Sequence, residues 1–148
     1  MSRKQVFKTS QNGGDLLAHE IENILRRTSR RLSRLLEKGA EEIKDKAVDF
    51  APKDTGALED SISLKKNSRA GVNGRNTFSV FVDGEAERSD GRKVGEYAHH
   101  AHYSNEARGA GTVAKGEQAG PMFMERALDD VKPRLEKRAK DIVKEELR

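Results

Sequence analysis

The run Ala51-Pro52-Lys53-Asp54-Thr55-Gly56-Ala57-Leu58-Glu59-Asp60-Ser61-Ile62 marks the point where one kind of periodicity ends and another begins. Upstream of it apolar residues recur at helical spacing: Leu17, Ile21, Ile24/Leu25, Leu32, Leu35/Leu36, Ala40, Ile43, Ala47 and Phe50. Pro52 cannot continue such a helix, and Asp54-Thr55-Gly56 offers two side-chain acceptors followed by a residue free to take positive φ. The stretch therefore reads as a specified corner. Leu58 and Ile62 supply apolar anchors four residues apart, and from Ser61 the pattern alternates with period two, the mark of a strand.

Working upstream, Asp15 is a plausible N-cap, and the helix from there to Phe50 would be a rod of roughly 50 Å, longer than a chain of this size can cover by itself. Gly39 is a possible interruption. Arg26, Arg27, Arg30, Arg31, Arg34 and Lys38 fall mostly three or four apart and make a basic band beside the apolar stripe. Such a band is either a solvated face or, in the functional reading, a contact face for an acidic neighbouring subunit, with Arg27, Arg30, Arg31, Arg34 and Lys38 as its candidates. Direct contact with phosphate is less favoured, because no aromatic side chain interleaves the cations. Residues 1–14 lack periodicity, end in Asn12-Gly13-Gly14, and read as a flexible N-terminal arm. Residues 15–148 read as a single α+β domain.

Downstream, Ser61 to Lys66 and Thr77 to Val82 read as two strands. The second puts Phe78, Val80 and Val82 on one face and Phe81 on the other, which suggests a central place in its sheet. Glu85 to Gly95 mixes charges of both signs and reads as an exposed loop. The stretch 104–120 holds Gly109, Gly111, Gly116 and Gly120 with Val113 as its one sizeable apolar side chain, and reads as a flexible loop or one that orders against a partner. Pro121 ends it, and a closing helix follows, anchored through Phe123, Ala127 and Leu128; Pro133 either kinks that helix or starts a second one. The expected architecture is α+β: a long N-terminal helix and a C-terminal helix packed on a small, mostly antiparallel sheet, with long flexible loops.

Composition narrows the function. Only 34% of the 148 residues are apolar and 36% are charged, so the core is small and the subunit is expected to complete its burial against neighbours. There is no cysteine, hence no disulfide, thiolate ligand or Cys nucleophile; no apolar run reaches bilayer length, and Met1 to Lys8 lacks the apolar segment of a signal peptide. Residues 1–50 carry 11 basic and 8 acidic side chains, 51–121 carry 10 and 10, and 122–148 carry 8 and 7. That balance argues only weakly for contact with nucleic acid.

No active site emerges. Ser61 lacks a paired base, and Gly109-Ala110-Gly111-Thr112-Val113-Ala114 has neither the dinucleotide nor the phosphate-loop spacing. His99, His100 and His102 cluster, with His100 and His102 sharing a face in a strand, or His99 and His102 lying close on a helix. Metal binding is sterically open to them, yet no carboxylate or Cys completes a ligand spacing, and interfacial or loop polar residues are the preferred reading. No catalytic residue, cofactor-binding residue, metal ligand or cofactor is expected.

The corner Ala51 to Ile62, with Pro52, Asp54, Thr55, Gly56, Leu58 and Ser61 at its marked positions, the pair Tyr97-Ala98, and the block Pro121-Met122-Phe123-Met124-Glu125-Arg126-Ala127-Leu128 together resemble the gene-ten-like minor tail components of tailed bacteriophages. Where that family's pattern has Glu-aromatic-Gly after Tyr-Ala, this chain reads His102-Tyr103-Ser104. The resemblance spans roughly residues 16 to 148. It implies a virion structural protein, not an enzyme, assembled in the host cytoplasm into a ring at the neck or tail end, where it joins head to tail or completes the tail. The implied partners are further copies of itself and adjacent connector, tail-terminator or tail-tube proteins, with no membrane contact, and DNA would pass through the ring without a dedicated binding site. The alternative is a small basic nucleic-acid-binding module that uses the arginine face of the first helix.

Overall fold

The stripe of apolar residues and the absence of proline before Pro52 allow one uninterrupted helix, and α1 runs from Arg3 to Phe50 in the computed structural model, which describes residues 3–53, 56–68, 76–103, 110–116 and 119–148. At 48 residues it is about 72 Å long. Its backbone takes in residues 3–14, which composition had set apart as an arm. Gly39 does not interrupt it. That glycine is buried where the closing helix crosses, and a Cβ there would meet Leu135 Cδ1 at 2.4 Å.

After the corner come a short helix α2 (Ala57–Ser61) and the strands β1 (Ile62–Ser68) and β2 (Asn76–Val82). The strands pair antiparallel with Ile62 opposite Val82, Leu64 opposite Val80 and Lys66 opposite Phe78. The face bearing Ile62, Val80 and Val82 turns towards α1, and Phe81 on the other face is exposed. Among the described residues the sheet has only these two strands, so β2 is not central as its two-sided apolar pattern suggested. The residues between the strands at 69–75 lie outside the described residues.

The charged stretch after β2 is exposed as composition predicts, with one correction. Arg88 N–H donates to Arg92 O at 2.8 Å and Val94 N–H to Ala86 O at 2.7 Å, which folds the stretch into a small hairpin and drives Val94 fully into the core. Its neck is tight: Gly95 N–H donates to Gly84 O at 2.9 Å, and a Cβ on Gly95 would sit 3.0 Å from that oxygen. Among the described residues three helices follow, α3 (Gly95–Tyr103), α4 (Ala110–Lys115) and α5 (Phe123–Glu146). Pro133 lies inside α5 on an exposed side and neither ends the helix nor starts another. The carbonyl it leaves without an N–H partner, that of exposed Asp129, has water as its alternative.

One core joins these parts: Ala47 and Ala51 of α1 and its end, Leu58 of α2, Ile62 of β1, Val94, Ala101 of α3, and Phe123 and Ala127 of α5. It sits at the corner. The helices α1 and α5 run antiparallel from there, with Glu42 paired to Arg134, Lys46 to Asp130, and Arg31 to Glu145 and Glu146. Because a Cβ at Gly39 would overlap the Leu135 side chain, Gly39→Val is expected to displace Leu135 and lower the unfolding free energy by about 1–3 kcal/mol; urea denaturation measures it, and unchanged stability would show that Leu135 yields freely.

Candidate functional site

A helix ends with four carbonyls that have no partner within it, and near a buried corner they must be satisfied by other groups. Here the described part of the glycine-rich stretch does this. Lys115 Nζ of α4 donates to Val48 O at 2.6 Å, to Ala51 O at 2.9 Å and to Glu59 Oε1 of α2 at 2.7 Å. Gly120 N–H donates to Phe50 O at 2.8 Å. Lys53 N–H donates to the Oγ1 of fully buried Thr112 at 2.8 Å, and Thr112 Oγ1 donates to Lys53 O at 3.2 Å. Gly111 lets the chains approach, since a Cβ there would lie 2.7 Å from Lys53 O.

The segment expected to wait for a partner is thus clasped onto its own chain at residues 110–115 and at Gly120. Nothing near it in sequence reveals this, because its partners lie more than fifty residues away; the sole local signal is Thr112 and Lys115, three apart on one helical face after a glycine. Gly109, and the remainder of that stretch at 104–108 and 117–118, lie outside the described residues.

Of the corner residues named from sequence, Pro52, Leu58 and Ser61 are buried, and Ser61 Oγ donates to Leu58 O at 2.6 Å. Gly56 takes φ 88° at the start of α2, the left-handed conformation that its place in the corner predicts. Asp54 and Thr55 lie outside the described residues. In the closing block Phe123 and Ala127 are buried against the core, Pro121 is half-buried, and Leu128 is 45% exposed. Met122 adopts φ 55° and its N–H donates to His102 O at 2.6 Å, so α5 starts against the end of α3.

The three histidines lie on a helix, the second of the two arrangements left open. His99 and His100 are exposed, whereas His102 packs edge-on to Phe123 with ring centroids 4.9 Å apart and places Nε2 2.6 Å from Glu125 Oε2. Burial raises the Glu125 carboxyl, the hydrogen bond and charge of His102 together with a backbone hydrogen bond lower it, and the balance lies below its ordinary value. Among the described residues no group of histidines and carboxylates is arranged to hold a metal ion.

The basic band of α1 divides in two. Arg27 reaches Glu146 at 3.3 Å and Arg31 bridges Glu145 and Glu146, so both serve the seam with α5. Arg30, Arg34 and Lys38 are exposed and form no ion pair among the described residues. No helix among the described residues is long and apolar enough to cross a membrane.

A family model described as "Bacteriophage HK97-gp10, putative tail-component" matches residues 15–106, which covers α1 from Asp15 through the corner, the sheet and α3. The Pro121 to Leu128 block lies beyond the matched span. No curated protein and no solved structure matches the chain.

Lys115 and Glu59 are both largely buried, at 17% and 13% side-chain exposure. Lys115→Met would leave the Glu59 carboxylate and two helix carbonyls without their cation, and is expected to cost about 2–4 kcal/mol in urea unfolding; a loss under about 0.5 kcal/mol would mean that water replaces the ammonium. Acid is expected to act at the other pairs. The hydrogen bond and charge of Lys46 hold Asp130 below its ordinary 3.8, and the hydrogen bonds of Arg138 and Arg31 hold Glu145 below 4.5. Carboxyls depressed in the fold stabilise it fully above their unfolded values and lose that contribution as pH falls through the folded ones. The melting temperature should therefore be flat down to about pH 5 and fall below about pH 4; a melting temperature that held steady to pH 2 would contradict this.

Proposed function

Since this chain belongs to the HK97-gp10-like family of bacteriophage tail components, we propose that it is a virion structural protein whose copies form a ring at the neck or at the tail end, joining head to tail or completing the tail. Its work is assembly rather than catalysis, carried out after synthesis in the host cytoplasm, with further copies of itself and a connector, tail-terminator or tail-tube protein as partners.

The observation that carries the reading is the mismatch between the two long helices. The last turn of α5 pairs with Arg27 and Arg31, so the part of α1 before them extends past α5 by roughly 36 Å. Leu16, Leu17, Ile21 and Leu25 on that overhang are 72%, 59%, 49% and 63% exposed. Apolar side chains held in a row on a rigid, uncovered helix are the signature of a surface completed by another subunit. The clasp at the corner supports the same reading, because it fixes the direction in which the overhang leaves the body.

Exposed Arg30, Arg34 and Lys38 favour a second reading, in which this face binds nucleic acid. Under the ring reading the same cations meet an acidic neighbour. Light scattering on a sizing column at two salt concentrations, with and without duplex DNA, separates the two. A discrete oligomer, formed alone or on addition of a tail or connector partner, is the expected result. A monomer that binds duplex DNA and releases it log-linearly with salt would replace the ring reading by the nucleic-acid one.

A further inference from the structure

A half-open apolar trough runs along α1. Its outer section, about 310 Å³, extends from Leu25 past Leu32 to Leu36 beside the start of β2. The middle section, about 350 Å³, shares Leu32 and Leu36 and is closed on its far side by Leu128 of α5. The inner section, about 310 Å³, shares Leu128 and is backed by Phe78 and Val80 of β2. Leu25 and Ile43, the α1 residues at its two ends, are about 27 Å apart along the axis. Leu36 and Leu128, at 46% and 45% exposure, are left half in water.

The face of α1 that forms the floor of this trough continues onto the overhang. Ala18, Ile21, Leu25, Thr28, Leu32 and Leu35 follow one another at intervals of three and four, the seam of a helix made to pack against another helix. Among the described residues that seam is partnered along α5 and beside β2, and Ala18, Ile21 and Leu25 lie beyond both partners, with Ile21 and Leu25 exposed. Charge differs sharply between its two parts. Residues 15–25 carry Asp15, Glu20 and Glu22 and neither lysine nor arginine, whereas residues 26–38 carry five arginines and a lysine against one glutamate. Like-for-like pairing of the two acidic segments would be repulsive, and laying the acidic segment along the basic one is attractive.

Resting on the self-assembly read above, we propose that the overhanging part of α1 from one copy, centred on Leu17 and Ile21, lies in the α1 trough of a second copy. The lengths agree: an overhang of roughly 36 Å fills a trough of about 27 Å with a turn or two to spare. Each copy then carries one plug and one socket.

The test uses the full chain and two variants, one on each side of the contact. Ile21→Glu places a charge on the plug and Leu36→Glu places one in the socket, both at half-exposed positions where circular dichroism is expected to report unchanged helix content. Each variant alone should self-associate about 100-fold more weakly than the wild type in light scattering. Mixed together they should form a one-to-one pair, because the first retains its socket and the second its plug. Glu20→Lys with Glu22→Lys, which touches no apolar contact, should weaken association as well and do so most at low salt. If the wild type assembles and all variants keep its mass, the trough is filled by something else, either the chain's own residues 69–75 or another virion protein; the proposal is then wrong while the ring reading stands. A wild type that remains a monomer alone and with tail or connector partners overturns both.

Discussion

The carbonyls at the end of α1 control the rest of the structure. A 48-residue helix that stopped in solvent could leave them to water, but this one stops beside the core, where Ala47 and Ala51 are fully buried. The donors come from residues 112–120: an ammonium, a hydroxyl and a backbone N–H, each aimed at a different group of residues 48–53. Satisfying the helix end in this way closes the chain on itself. It brings α4 to the corner, sets Gly120 against Phe50, and so places Phe123 three residues later over the core, from which α5 returns along α1.

That return is half as long as the outward path, because α5 has 24 residues and α1 has 48. The seam between them is close at Gly39, flanked by exposed ion pairs that are individually weak, and it ends where Glu145 and Glu146 meet Arg27 and Arg31. The geometry of one buried corner therefore decides where coverage of α1 stops. Among the described residues α1 is covered along α5 and largely exposed over 14–25, and membership in a family of tail components is consistent with a subunit whose burial is finished by its neighbours.

Most of the helical and strand content was legible because it rests on local periodicity. Leu17 to Phe50 recur at helical spacing whatever surrounds them, and the alternation through Phe78, Val80 and Val82 gave both the strand and its inward face. What could not be read depends on contacts distant in sequence. Gly39 looked like a weak point in a helix because its value, room for Leu135, lies 96 positions away. Val94 sat in a charged stretch and looked exposed until a hairpin neck at Gly84 and Gly95 turned it inward. The two-sided apolar pattern of β2 suggested a central strand, yet Phe81 is a surface residue. Lys115 is the largest omission: a lone lysine in a glycine-rich stretch carries no sign that it donates to Ala51 O, just past the end of α1 and 64 residues earlier.

The arginine band shows how a single sequence motif can be divided between two tasks. Side chains at positions three and four apart share a helical face only approximately, and over five positions the face turns. Arg27 and Arg31 fall on the side of α5 and are held there by its terminal glutamates, whereas Arg30 and Arg34 fall on the far side and meet water. The first pair contributes to the fold of one copy. The second pair forms no ion pair among the described residues, and exposed cations on a rigid helix add to the field around the subunit. In this chain the rotation of α1 relative to α5, set at the corner, therefore determines which charges pair within the subunit and which stay exposed.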